Sequence, residues 1–223
     1  AGNYAVGAAM EALRTGKVTL ALAGGVEPFS RLSMVGFSRS RAMAQDACRP
    51  FDRLRSGMLL GEGAAMFVLE LAGQAMARGA TPLAEVVSLG LSCDAYHPTA
   101  PLPDGSGMAR AMQAALDEAG VNPGRLDWVN AHGTGTRASD GAEAKALRSV
   151  FGMRLPPVSG SKGAMGHALG AASALELAIC VQGLNHQTVP PTWGHNEPDA
   201  EEGISCAQFA EPRPIQWVMN NAF

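Results

Sequence analysis

The chain has 223 residues, 47% apolar and 17% charged, a balance that suits a well-buried globular protein and excludes a disordered one. Its net charge of −3 provides no basic footprint for nucleic acid or for an anionic membrane surface. The length is enough for one large domain or two small ones.

Val6, Met10 and Leu13 recur at helical spacing before Gly16, so the chain opens inside or just before a helix. Residues 18–25 (VTLALAGG) form a short apolar run ending in paired glycines and read as a strand buried on both faces. A second such run, residues 64–71 (AAMFVLEL), follows the Gly61-Glu62-Gly63 turn. Between them, residues 28–52 read as a loop-rich excursion carrying Arg31, Arg39, Arg41 and Arg49. Residues 84–91 are strand-like, and Met108, Met112 and Leu116 predict an amphipathic helix stopped at Gly120. Residues 126–130 read as a strand entering a glycine-rich turn, after which Asp140 and Glu143 precede Leu147 in a pattern close to a capping box. Residues 157–161 are extended, and 171–184 are apolar nearly all round, as in a buried central helix. The alternation predicts an α/β protein with layered sheets and helices.

The longest apolar stretch, residues 168–184, contains Glu176 and is shorter than the roughly 20 residues a membrane crossing needs. No charged leader precedes the first helical pattern, so the expectation is a cytoplasmic protein. Cys48, Cys93, Cys180 and Cys206 show no CxxC spacing and read as reduced, mostly buried thiols.

Two segments carry chemistry. Residues 130–136 (NAHGTGT) and 161–167 (SKGAMGH) each place a histidine at the end of an expected strand, in glycine-rich backbone that lets a substrate approach closely. Two neutral imidazoles in one apolar pocket can both donate N–H bonds to a single carbonyl oxygen and stabilise an enolate as its charge develops. Apolar surroundings favour that neutral form by penalising the cation. Lys162 can hold a carboxylate such as Glu143 and orient the site. Neither GxGxxG nor GxxxxGK[ST] is present, and the histidines lack any zinc-ligand spacing. Spacing alone defines an enzyme pocket and leaves its reaction open.

NAHGTGT with Asp140 and Glu143 beyond it, SKGAMGH, RPFDRLRSGMLLGEGAAMFVLE and DAYHPTAP together resemble the β-ketoacyl-acyl-carrier-protein synthases of the fatty-acid synthase II branch, nearly end to end and in the same order. The resemblance implies a thiolase-like α/β/α/β/α sandwich, here partial. Residues 1–80 would be the remainder of an N-terminal half, and residues 81–223 the C-terminal half. It implies decarboxylative Claisen condensation of an acyl thioester with malonyl-acyl carrier protein, in fatty-acid or type II polyketide synthesis. His132 and His167 would be the catalytic pair and Lys162 its supporting lysine, with Asp140 and Glu143 supporting the loop. Thr134 and Thr136 would touch the phosphopantetheine arm, which arrives on the carrier protein, so no resident cofactor is implied. Met34, Phe37 and Met58 would line or border the acyl pocket. Arg31, Arg39, Arg41 and Arg49 would meet the acidic carrier protein. Some relatives hold a monovalent cation at positions matching Asn130, Ala131, Glu176, Asn220 and Asn221. The expected assembly is a homodimer, or a heterodimer with a related subunit.

In that family the nucleophilic cysteine lies about two residues ahead of the position of Ala1, and a GFGG-type loop follows the position of Phe223. The resemblance therefore implies a piece of a longer protein, inactive by itself. A non-catalytic chain-length-factor-like subunit is the alternative, and the retained histidine pair favours the enzyme.

Overall fold

In the computed structural model, which describes residues 1–223, helix α1 (Gly2–Arg14) turns Val6, Ala9 and Leu13 into the core. Strand β1 (Leu20–Glu27) follows. Helix α2 (Arg31–Arg39) then leads by a long loop to β2 (Gly63–Glu70), which pairs with β1 antiparallel from Leu20 opposite Glu70 to Glu27 opposite Gly63. The sequence predicted the first strand to be buried on both faces, and the structure corrects this. Leu20, Leu22 and Val26 of β1, with Met66 and Val68 of β2, are each more than half exposed. The opposite face carries Ala21, Ala23, Phe67 and Leu69 against α1. Helix α2 lies inside the expected loop. It buries no residue, so it has no core-facing stripe for periodicity to reveal, and its start is set by the Ser30 hydroxyl accepting from the Ser33 N–H at 3.3 Å.

After the short α3 (Ala72–Ala77), residues 84–91 do not form the expected strand. Side chains hold them instead: Ser88 Oγ donates to the Ala115 carbonyl at 2.8 Å, and the Leu89 N–H donates to Glu118 at 3.2 Å. Both partners belong to α4 (Ser106–Ala119), which buries Met108, Met112 and Leu116 as predicted and ends at Gly120, φ 64.

The buried β3 (Trp128–Asn130) leads into α5 (Arg137–Phe151), which packs on α4. The cap of α5 is Thr136, whose hydroxyl accepts from the Ser139 N–H, so Asp140 and Glu143 lie inside the helix and not at its cap. Strand β4 (Val158–Ser159), the short α6 (Lys162–Met165) and α7 (Leu169–His186) follow. β5 (Thr188–Val189) then pairs with β6 (Glu211–Pro212), and β7 (Val218–Asn220) comes last. β3 is the centre of a parallel sheet in the order β4-β3-β7. Helix α7 packs against β1, β2 and β7 and so forms the layer between the two sheets. The largest core cluster gathers Phe51, Met108, Met112, Val129, Leu147 and Ile204 between α4, α5 and this parallel sheet. No helix is long and apolar enough to cross a membrane.

The contact between α7 and β1 is backbone on backbone. A Cβ at Gly25 would stand 2.9 Å from the Ala171 Cα and 2.9 Å from the Gly170 carbonyl oxygen. Gly25→Ala is expected to destabilise the fold by about 1–3 kcal/mol through overpacking. Gly36→Ala on α2, where nothing lies within 4 Å, is expected to be neutral or mildly stabilising. Urea denaturation of both variants checks the pair.

Candidate active site

β3 and β4 run parallel and side by side, so the segments leaving their C-terminal ends emerge next to each other. The HGTGT loop leaves β3 with Gly133 and Gly135 in the left-handed region, φ 46 and 77. Gly135 has no room for a side chain, since a Cβ there would sit 2.8 Å from the Gly57 carbonyl oxygen. β4 leads to Lys162, which is completely buried.

The Lys162 ammonium meets three acceptors: the His132 carbonyl oxygen, Glu176 Oε1, and His132 Nδ1 at 3.3 Å. An ammonium only donates. His132 Nδ1 therefore accepts, and the proton of the neutral ring is left on Nε2. The sequence paired Lys162 with Glu143, and the structure corrects this: α7 delivers Glu176 to the lysine. Glu143, on α5, instead accepts from the backbone N–H groups of His132 at 2.8 Å and Gly133 at 2.9 Å, and from Asn221 Nδ2 at 3.1 Å.

His167 reaches the same place by a different route. Its N–H donates to the Leu59 carbonyl at 2.7 Å and its carbonyl accepts from the Gly61 N–H at 3.1 Å, so the GEG turn before β2 fixes it. The two imidazole rings lie edge to face, with centroids 5.4 Å apart and planes at 84°. The Phe223 ring stands 6.0 Å from His132. His167 Nδ1 is buried with no protein partner.

Burial, reinforced by the Lys162 charge, holds both imidazoles in the neutral form. It takes His132 well below the ordinary histidine range and His167 down to about 3. Burial also pushes Glu176 up to about 7 in spite of Lys162, and raises Glu143. The buried thiols of Cys48, Cys180 and Cys206 are all pushed upward by burial, Cys48 to about 11, so none of them is an activated nucleophile.

The other expected site residues fall into two groups. Asp140 and Thr134 lie within the loop's support: Asp140 accepts from the N–H of Phe51 at 2.8 Å and of Gly135 at 3.1 Å, and the Thr134 and Thr136 hydroxyls are 3.0 Å apart. Met58 is buried and Phe37 half-buried. A cavity of about 300 Å³ beside the GEG turn has apolar walls that include Phe29, Met34 and Leu59 and polar ones that include Glu27, Ser33 and Glu62, so of Met34, Phe37 and Met58 only Met34 borders it. Asn130 donates to Asn220 Oδ1 at 2.9 Å, while its own Oδ1 and Glu176 Oε2 are buried oxygens without a donor. Sequence reasoning missed the buried Arg55 and His195. His195 bridges the Pro50 carbonyl at 3.1 Å and the Cys206 N–H at 3.2 Å, a satisfied structural imidazole.

This loop pair can be set beside known proteins. Residues 83–196 match the family described as beta-ketoacyl synthase, C-terminal domain, and residues 1–75 match beta-ketoacyl synthase, N-terminal domain. The chain belongs to the β-ketoacyl synthase family. It is 42% identical over 225 residues to nodulation protein E of Rhizobium meliloti, covering 99% of this chain and 56% of that protein. It is 38% identical over 230 residues to 3-oxoacyl-[acyl-carrier-protein] synthase 2 of Staphylococcus aureus (strain COL), again covering 99% of this chain and 56% of the relative. The solved ishigamide ketosynthase/chain length factor superposes with a TM-score of 0.95 at 42% identity, over 99% of this chain and 55% of that one. The fold is thus the mixed α/β, thiolase-like ketosynthase fold, partial relative to its solved relatives, and the chain spans a little over half the length of the relatives it matches.

The imidazoles give the synthase chain a signed pH dependence. The unfolded His167 takes a proton below its ordinary 6.5, whereas the folded ring resists until about 3, so stability is lost as pH falls across that window. Glu176 and Asp140, raised to about 7 from 4.5 and 3.8, act the other way: their contribution is full below those ordinary values and is lost as pH rises through 7. Chemical denaturation against pH is expected to show a shallower loss of stability in His167→Asn as pH falls from 6.5 toward 3, with the slope above pH 7 unchanged.

Proposed function

We propose that these residues perform the decarboxylating half of a β-ketoacyl-acyl-carrier-protein synthase reaction. The observation that supports it is the edge-to-face pair of neutral imidazoles, one with its proton fixed on Nε2 by a buried lysine. Malonyl is presented as a thioester on the phosphopantetheine arm of the carrier protein. The bond to its carboxylate breaks, CO2 leaves, and the electron pair passes into an enolate whose oxygen accepts from the histidine N–H groups. That carbanion attacks an acyl thioester held on a cysteine and expels the thiolate, lengthening the chain by two carbons. The acyl-accepting thiol is not Cys48, Cys180 or Cys206, whose burial keeps them protonated.

Thr134 and Thr136 are assigned to the arm, and the cavity at Met34 to the acyl chain. The exposed Arg31, Arg39 and Arg41 face the acidic carrier protein; Arg49 is partly committed to Asp46 at 2.8 Å. The unpartnered Asn130 Oδ1 and Glu176 Oε2 suit a monovalent cation held together with the positions of Ala131, Asn220 and Asn221. Such an ion would supply only a fixed positive charge. A second, related subunit is the expected partner, as either a homodimer or a heterodimer. A non-catalytic chain-length-factor role is the second reading, and the intact His132–Lys162–Glu176 relay favours the enzyme over it.

Release of CO2 from malonyl-carrier protein tests this. In the protein expressed from its complete reading frame, His132→Ala and His167→Asn are each expected to lower the rate by about 10²–10³-fold. Unchanged release in both variants would favour the partner-subunit reading. The 223-residue chain alone is expected to form no condensation product, and any turnover of acyl- with malonyl-carrier protein refutes that.

A further inference from the structure

Residues 48–58 (CRPFDRLRSGM) form the bed beneath the HGTGT loop, and the reaction chemistry gives them no task. Cys48 Sγ donates to the Thr134 carbonyl at 3.3 Å and the Gly57 N–H donates to the Gly135 carbonyl at 3.0 Å. A Cβ at Gly133 would touch both Pro50 and the Phe51 ring at 3.2 Å. Phe51 itself is wholly buried at φ 56, a left-handed conformation that costs a bulky residue about 1–3 kcal/mol and persists only where its surroundings enforce it. The enforcing contact is Asp140, which receives the Phe51 N–H.

Asp140 and Glu143, one helical turn apart on α5, divide the loop between them. Glu143 takes the N–H groups of His132 and Gly133, whereas Asp140 takes that of Gly135. Only Asp140 faces Arg55. That guanidinium is 2% exposed. Its Nη1 donates to the Asp52 carbonyl at 2.9 Å and to Asp199 at 2.7 Å, its Nη2 pairs with Glu202, and its Nε, with no hydrogen-bond partner, stands 3.8 Å from Asp140 Oδ2. One cation thus gathers carboxylates from α5 and from the loop after His195, and its charge adds to the Phe51 N–H in opposing the burial that raises Asp140 to about 7.

We propose that Arg55 is a positioning residue for the arm-binding half of the HGTGT loop, acting through Asp140 and leaving the His132 half to Glu143. The assignment rests on the proposed function, specifically on Thr134 and Thr136 meeting the phosphopantetheine arm. It separates two effects that a general loss of structure would not separate. Removing Arg55 weakens capture of the arm, while the decarboxylating rings keep their places.

The test is steady-state CO2 release by the protein expressed from its complete reading frame, for wild type, Arg55→Met, Arg55→Lys and Asp140→Asn, with thermal melts alongside. Two substrates are compared: malonyl-carrier protein, and a short malonyl thioester without the arm. Arg55→Met and Asp140→Asn are expected to raise KM for the carrier substrate about tenfold with kcat lowered less than about threefold, and to turn over the short thioester as the wild type does. Arg55→Lys, which restores charge without the fork, is expected to fall between. If Arg55→Met does not fold, Arg55→Lys decides, and Asp140→Asn, which costs the loop one of its two acceptors, serves as the comparison for direct loss of loop support. A fall of kcat in step with the rise in KM, or an equal loss on the short thioester, overturns the assignment while leaving the decarboxylation reading intact. No CO2 release by the wild type overturns both.

Discussion

The site depends on one buried ammonium. Burying a charge as completely as Lys162 costs several kcal/mol unless its donors are satisfied, and here three acceptors meet it. Those acceptors come from two places, the loop after β3 and the middle of α7, so the lysine ties the parallel sheet to the central helix. The same contact sets the tautomer of His132 and reinforces the burial that keeps its ring uncharged. Structural and chemical roles are joined here: replacing Lys162 by an apolar residue would leave Glu176 unpaired and His132 free to choose its tautomer.

A second constraint comes from α5. Because Asp140 and Glu143 are three residues apart, they project from the same side of the helix, toward the loop that precedes it. Each accepts backbone N–H groups that a loop with two left-handed glycines would otherwise leave unpaired. The left-handed bends at Gly133 and Gly135 are thus possible because carboxylates accept the loop's N–H groups.

Much of this was legible in the sequence. The glycines that follow His132 and the SKGAMGH run signalled close backbone approach, and Met108, Met112 and Leu116 signalled α4, because both patterns are local. What depends on non-local packing was not legible. Glu176 read as an interruption of an apolar stretch, since nothing local shows which element an acid in α7 faces; its place in such a stretch was nonetheless a signal that it had a buried partner. Residues 84–91 have strand composition, yet a strand needs a ladder partner, and Ser88 and Leu89 bond to α4 instead. The apolar run of β1 gave no sign that one of its faces would be left uncovered. Arg55 was not singled out, because its partners Asp199 and Glu202 lie far along the chain.

The most direct measurement is the ring-nitrogen spectrum of ¹⁵N-histidine-labelled protein at pH 7, with the two signals assigned by single substitutions. Burial favours the neutral form of both His132 and His167, and the Lys162 contact places the His132 proton on Nε2. An imidazolium signal from either ring, or a His132 proton on Nδ1, would contradict the idea that a buried lysine prepares this pair to stabilise an enolate.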